Sequence, residues 1–141
     1  MNVTTLWEGG RAFTATGPSG YPIHMDATAA YGGEGKGATP MELLLAGLAG
    51  CMGIDVTMIL NQSLEQVKTI RMETNGTRRE EKPAGFTAIE LIFHVEGELP
   101  DYRIWKAIDM SQEKYCSVSD SLHADITFRL ILNGEERPKG A

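Results

Sequence analysis

The chain has 141 residues, of which 42% are hydrophobic and 23% charged, and its formal net charge at pH 7 is −6. This length and composition are typical of one folded domain, so we expect residues 1–141 to form a single domain. The acidic balance disfavours nucleic acid or an anionic membrane as a partner, because both require a basic face. The first ten residues contain no basic segment followed by an apolar run, so we expect a cytoplasmic protein.

The predicted elements begin with short strands and continue with a glycine-rich loop and a long apolar helix. The loop "YGGEGKGATP" lacks the Gly-Lys-Ser/Thr ending of a phosphate-binding loop. The second half alternates between strands and helices, which together with the first half predicts an α+β fold. The predicted strands are 2–10, 11–17, 21–27, 86–97 and 125–134, residues 67–83 are predicted as a strand and a charged turn, and the predicted helices are 41–60, 101–115 and 116–123.

The stretch "MELLLAGLAGCMGIDVTMIL" from Met41 to Leu60 is long and apolar enough to span a membrane. Asp55 would then lie inside the bilayer at a cost of about 2.5–3.5 kcal/mol. Thr39 and Glu42 also match the capping box of a soluble helix. We therefore expect a core helix buried on nearly every side, and no membrane partner.

Gly47, Gly50 and Gly53 recur at every third position of this helix. Glycine inside a helix costs about 1 kcal/mol relative to alanine, so three of them indicate close packing or a site. A chain of this size has difficulty enclosing such a helix alone. The pattern therefore predicts a homodimer with this helix near its centre.

The two cysteines are Cys51, inside the apolar helix, and Cys116, which opens "CSVSDSL". Without an export signal, they are better explained as core residues or reactive thiols than as a structural disulfide. An apolar core would keep Cys51 protonated and inert. A helix N-terminus would favour the thiolate of Cys116, and a buried cation would do the same for Cys51.

The segments "TPMELLLAGLAGCMGIDVTMIL" and "KYCSVSDSL" resemble the OsmC/Ohr family of thiol-dependent peroxidases, in its OsmC-like branch. The resemblance implies sheets wrapped around central helices in an intertwined homodimer. It also implies that Cys51 attacks an organic hydroperoxide and becomes a sulfenic acid, which Cys116 resolves as a disulfide. An external dithiol, of the lipoyl type, would reduce that disulfide, and no cofactor or metal is expected.

The chain departs from the family pattern near the helix start, where Met41 occupies the usual glutamate position and Glu42 follows it. Glu42 projects to the opposite side of the helix from Cys51, so we favour a capping role over a catalytic one. Arg11 is the arginine that precedes the helix, and it is the candidate cation beside Cys51. A solvated strand position is the alternative for Arg11.

The expected substrate pocket is apolar and is lined by Met41, Leu48, Met52 and Asp55, with Met58 and the leucines of the helix as further apolar lining. Asp55 lies one turn after Cys51 and is interpreted as an anchor for an arginine or for backbone donors, or as a polar site residue. The leading hypothesis is therefore a peroxidase. The alternative is a non-catalytic dimer of the same fold that binds an apolar small molecule or senses redox state.

Overall fold

The computed structural model describes residues 1–140, and the chain divides into two compact units, residues 1–44 and residues from Leu45 on. It contains two mainly antiparallel sheets together with helices, so the predicted α+β class is confirmed. The single-domain expectation stays a prediction. The strands are β1 (Thr4–Trp7), β2 (Phe13–Thr16), β3 (Pro22–Met25), β4 (Val67–Arg78), β5 (Phe86–Gly97), β6 (Asp125–Leu132) and β7 (Glu135–Glu136), and the α-helices are α1 (Pro40–Ile59), α2 (Asp101–Met110) and α3 (Ser117–Ser121).

The first unit contains an antiparallel sheet of β1, β2 and β3 in sequence order. After β3 the chain enters the glycine-rich loop, which Asp26 organises. The Asp26 carboxylate is buried and accepts backbone hydrogen bonds from Ala27, Glu34 and Lys36 at 2.8–3.1 Å. The backbone N–H groups of Glu34 and Lys36 hold the pKa of Asp26 below its usual range. The loop is thus ordered by one carboxylate.

Helix α1 begins with the predicted capping box. The Glu42 carboxylate accepts hydrogen bonds from the Thr39 backbone N–H at 3.1 Å and from its hydroxyl at 2.9 Å. In return, the Glu42 backbone N–H donates to the Thr39 hydroxyl at 3.3 Å. The bond from the Thr39 backbone lowers the pKa of Glu42. The cap fixes where the helix starts, and it therefore fixes the turn on which Cys51 lies.

The second unit contains a sheet in the order β4-β5-β6-β7. Strands β4 and β5 form an antiparallel hairpin, whereas β5 and β6 are parallel. A parallel pair needs a crossover connection, and residues 101–121 supply it as α2, a π-helical segment (Ser111–Tyr115) and α3. This crossover carries Cys116.

The core of the second unit lies between α1, the crossover helices and the sheet. The predicted alternation of β5 is confirmed, since its apolar face is at most 2% exposed at every position. From α1, the fully buried side chains are those of Leu48, Met52 and Val56. The buried face of β5 consists of Ile89, Leu91, Phe93 and Val95.

The burial of α1 is one-sided in the single chain. Its 20 residues have a mean hydropathy of 1.6 over the most apolar window, which length and composition alone would allow to cross a membrane. A core helix passes the same test, and Leu48, Met52 and Val56 belong to the core cluster. On the other side, Ile54 is 63% and Met58 70% exposed. The expectation of a helix buried on nearly every side is therefore not met within one chain.

Candidate active site

Cys51 and Asp55 lie on adjacent turns of α1, and both are half-buried. At about 100° per residue, they fall at the border between the buried residues of the helix and its exposed apolar residues. The border position gives both side chains access to the core on one side and to the surface on the other.

Cys116 reaches the same place from the crossover between β5 and β6. The π-helical segment ends at Tyr115, and Cys116 is the N-cap of α3. Its sulfur accepts a hydrogen bond from the Ser119 backbone N–H at 3.3 Å, and the residue is only 3% exposed. Wide π turns inside helices often mark functional positions, because they re-aim the side chains that follow.

The two sulfur atoms and a carboxylate oxygen of Asp55 all lie within 4.8 Å of one another. Both cysteines are free thiols. Small side-chain movements would bring the two sulfurs into bonding contact. The structure thus joins three residues that the sequence separates by up to 65 positions.

Burial raises the pKa of the Cys116 thiol above its usual range, and the adjacent Cys51 side chain raises it further. The Ser119 backbone N–H acts in the opposite direction, because it stabilises the thiolate, but its effect is smaller. Cys116 is therefore held as a neutral thiol at pH 7. A thiol in this state suits a resolving residue, which reacts second, better than a residue that attacks first.

The Asp55 carboxylate is anchored by a serine hydroxyl rather than by an arginine or by backbone donors. Ser111, fully buried at the start of the π-helical segment, donates to Asp55 Oδ2 at 2.7 Å. The sulfur of Met52 lies 3.3 Å from the same hydroxyl oxygen. Ser111 therefore connects the crossover to α1 at the turn that separates Cys51 from Asp55.

An open cleft of about 580 Å³ begins at Asp55. Its other walls are apolar or aromatic, so a hydrocarbon group that enters it would be removed from water beside the Asp55 carboxylate. Of the predicted pocket residues, Asp55 and Met58 line it. The other lining residues are Ile59, Met110 and Tyr115.

The remaining predicted site residues have different positions. Leu48 and Met52 are fully buried in the core of the second unit. In the first unit, Met41 is half-buried and Glu42 caps α1. Arg11 is exposed in the turn before β2 and lies beside Gly32. Catalytic or substrate-binding roles for these five residues stay predictions.

Ser111 and the cleft residues Ile59, Met110 and Tyr115 were not predicted. A signal for Ser111 exists in the sequence, because it continues the apolar spacing of Ile104, Ala107 and Ile108. A polar side chain at a core position needs a hydrogen-bond partner. Asp55, the acidic residue inside the apolar stretch of α1, is the matching acceptor.

The fold and site define a class of α+β proteins in which an apolar helix carries one cysteine and a crossover brings a second against it. The family model described as OsmC-like protein matches residues 33–131. Protein YhfA of Escherichia coli strain K12 is 38% identical over 120 residues, which cover 84% of this chain and 87% of YhfA. This chain therefore belongs to the OsmC-like family, and the predicted resemblance is confirmed.

Solved structures share the fold. A hypothetical protein from Aquifex aeolicus VF5 is 28% identical, with a TM-score of 0.76, over 94% of this chain and 96% of that one. The organic hydroperoxide resistance protein OhrB of Bacillus subtilis shares the fold at 21% identity, with a TM-score of 0.62, over 94% of this chain and 96% of that one.

Proposed function

We propose that the protein is a thiol peroxidase that reduces organic hydroperoxides in the cytoplasm. The observation that carries the proposal is the meeting of two free thiols, Cys51 and Cys116, within 4.8 Å beside an apolar cleft. The family membership supports it, and so does the named role of a protein of the same fold, the hydroperoxide resistance protein of Bacillus subtilis.

The reaction divides between the two thiols. The Cys51 thiolate attacks the outer peroxide oxygen, so the O–O bond breaks, the alcohol ROH leaves with a proton, and Cys51 becomes a sulfenic acid. Cys116 then loses its proton and attacks the Cys51 sulfur, which releases water and forms the Cys51–Cys116 disulfide. An external dithiol reduces this disulfide by exchange and is itself oxidised.

The cleft suggests which peroxides react fastest. An alkyl group that enters it gains about 0.8 kcal/mol for each methylene removed from water, whereas hydrogen peroxide has none to bury. We expect the rate of Cys51 oxidation to rise from hydrogen peroxide through tert-butyl to cumene hydroperoxide, by at least about tenfold. Met110→Ala should reduce the rate with cumene hydroperoxide and leave the rate with hydrogen peroxide unchanged.

The exposed apolar residues of α1 support a homodimer. Gly47, Gly50, Ile54 and Met58 fall within about 80° of the helix circumference, and all four are exposed in the single chain. A second copy of the helix would cover them. Light scattering or sedimentation should give about twice the chain mass of 15.4 kDa.

The test of the proposed function is dithiol-dependent peroxide consumption by three proteins. Wild type should turn over, and Cys51→Ser should be inactive. Cys116→Ser should react once and leave a sulfenic acid on Cys51 that a dimedone-type probe labels. No consumption of any peroxide by wild type would overturn the peroxidase and favour a dimer that binds an apolar molecule in the cleft.

Arg11 is proposed as the cation that stabilises the Cys51 thiolate. Arg11→Met should slow Cys51 oxidation, most strongly at low pH. Arg78→Met, at the last residue of β4, serves as the control. An unchanged pH–rate profile would mean that Arg11 is a solvated residue with no effect on Cys51. The two-thiol mechanism would not be affected by that result.

A further inference from the structure

The three donors at the site have the composition of a metal centre. Two thiols and a carboxylate are ligands that select Zn²⁺ over Mg²⁺ or Ca²⁺, because soft thiolate ligands suit Zn²⁺ whereas Mg²⁺ and Ca²⁺ prefer oxygen ligands. We propose that reduced Cys51, Asp55 and Cys116 bind a thiophilic divalent cation, Zn²⁺ in the first place, with a fourth position open to water or to an external thiol.

The spacing of the donors fits this site. Zinc binds thiolate sulfur at about 2.3 Å and carboxylate oxygen at about 2.0–2.2 Å, so ligands at tetrahedral angles stand about 3.5–3.8 Å apart. The three donor atoms already lie within 4.8 Å of one another. Rotamer adjustments of about 1 Å would close them around an ion without moving α1 or the crossover.

Ser111 supplies the outer support that metal ligands usually have. Its hydroxyl is fully buried and donates to Asp55 Oδ2 at 2.7 Å, which fixes the orientation of the carboxylate. Outer hydrogen bonds of this kind typically change metal affinity by about 10- to 100-fold. The carboxylate retains lone pairs for an ion, because a single hydroxyl donor occupies only part of its acceptor capacity.

The charge at the site also favours a cation. Within residues 45–140, no lysine, arginine or histidine nitrogen comes within 4.0 Å of the Asp55 carboxylate. Binding converts two thiols and a carboxylate to a complex of net charge −1 and releases two protons. The net charge of the site is thus unchanged by binding, while the ion pairs with the half-buried carboxylate and holds both sulfurs as thiolates.

The metal site and the proposed peroxidase share Cys51 and Cys116, but metal binding does not require peroxidase activity, and peroxidase activity does not require a metal. A disulfide between Cys51 and Cys116 removes both sulfur ligands, so metal binding and the oxidised state exclude each other. Bound zinc would hold the Cys51 thiolate and slow its attack on peroxide. Oxidation that does occur would release the ion.

The experiment titrates the reduced full-length chain with Co²⁺ as a spectroscopic probe, and then with Zn²⁺ in competition. We expect one ion per chain, a thiolate-to-cobalt charge-transfer band that Zn²⁺ abolishes, and the release of about two protons. Cys51→Ser and Cys116→Ser should each weaken the band. Protein oxidised with diamide, which forms the disulfide without any peroxide, should bind no ion.

The Asp55 ligand is tested by Asp55→Asn, with Asp120→Asn as the matched control in exposed α3. Asp55→Asn should raise the Kd for Zn²⁺ at least about tenfold and Ser111→Ala by a similar factor, while Asp120→Asn leaves it unchanged. Circular dichroism establishes that each variant is folded. Equal Kd values for Asp55→Asn and Asp120→Asn, or a cobalt complex without a charge-transfer band, would overturn the site. Peroxide consumption is measured separately, so either proposal can fail alone.

Discussion

The two sides of α1 are built from the same kinds of residue and have opposite surroundings. On one side, Leu48, Met52 and Val56 are fully buried against the core of the chain. On the other side, Ile54 is 63% exposed and Met58 is 70% exposed. We call the first set the inner face and the second, together with Gly47 and Gly50, the outer face. The candidate site lies between these faces.

The uniform hydrophobicity of α1 reflects two separate packing demands. A surface helix of a monomer normally alternates between apolar and charged sides. The outer face here is as apolar as the inner one, and single chains rarely expose large apolar patches without a partner. The homodimer that we propose gives the outer face the burial that the inner face already has.

The largest expected effect on folding stability comes from truncating one side chain on each face. Leu48→Ala should lower the free energy of unfolding by about 2–5 kcal/mol, because it leaves a cavity in a fully packed core. Ile54→Ala removes a similar volume from the outer face. In dilute solution, where chains are monomeric, it should change that free energy by less than about 0.5 kcal/mol. Urea denaturation at several protein concentrations measures both.

Concentration serves as the control in this comparison. The loss from Leu48→Ala should be the same at every protein concentration, whereas the loss from Ile54→Ala should increase as dimers form. If the two losses were equal at low concentration, the outer face would already be covered within the single chain.

A charge on the outer face tests the association directly. Ile54→Lys places two ammonium groups near each other in a two-fold interface and removes the burial of two isoleucines. The burial of one such side chain is worth about 1.5–3 kcal/mol. Each of the two lost isoleucines should therefore raise the dimer Kd by at least about tenfold. Sedimentation equilibrium measures the change. Tyr102→Lys on α2, where Tyr102 is exposed, adds the same charge outside the outer face and is the control for altered net charge.

Much of the fold could be predicted because it depends on local signals. The Thr39–Glu42 cap fixes the start of α1, and period-two alternation identifies β5 and its buried face. The parallel pairing of β5 with β6 was not predicted, since alternation identifies a strand but not its neighbour. The two antiparallel pairs flanking it are joined by short connections, whereas the parallel pair is joined by the helical crossover.

The site was predictable in part for a related reason. The residue context identified Cys51 and Cys116, whereas their distance depends on the length and path of the crossover. The π-helical turn at Ser111 sets that path, and no residue in "SQEKY" indicates it. The cleft residue Tyr115 was missed because an exposed aromatic side chain has no sequence signature that separates it from a core residue, whereas Met58 was expected to line the pocket.

The burial of Cys116 predicts a pH effect on stability. Its pKa in the folded chain is raised by burial and by Cys51, so the unfolded chain loses this proton at a lower pH than the folded chain does. The stability contributed by the neutral thiol is fully present below the unfolded value of about 8.5. It is lost progressively as the pH rises through the folded value.

Reduced wild type should therefore lose stability above about pH 8.5 more steeply than Cys116→Ser does. The free energy of unfolding, measured in urea from pH 7 to pH 10 with a reductant present, gives both curves. Their difference cancels the lysines and tyrosines that ionise in the same range. Parallel curves would mean that the Cys116 thiol ionises as readily in the folded chain as in the unfolded one.

The smallest expected effect concerns two glycines of α1 and differs between them in sign. A Cβ on Gly53 would stand 3.3 Å from the Met72 sulfur, whereas one on Gly50 would meet nothing within 4 Å in the chain. Alanine gains about 0.5–1 kcal/mol over glycine in a helix. A flexible thioether can move the few tenths of an ångström that Gly53→Ala requires, so this variant should be slightly stabilised at every concentration.

Gly50→Ala should gain the same amount of stability as a monomer. It should lose this gain, or more, as a dimer, because its methyl group occupies the space that the second helix needs for close packing. Denaturation curves at low and high protein concentration separate the two cases. Equal gains for both variants at all concentrations would show that no second backbone approaches Gly50, and the outer face would then need a different partner.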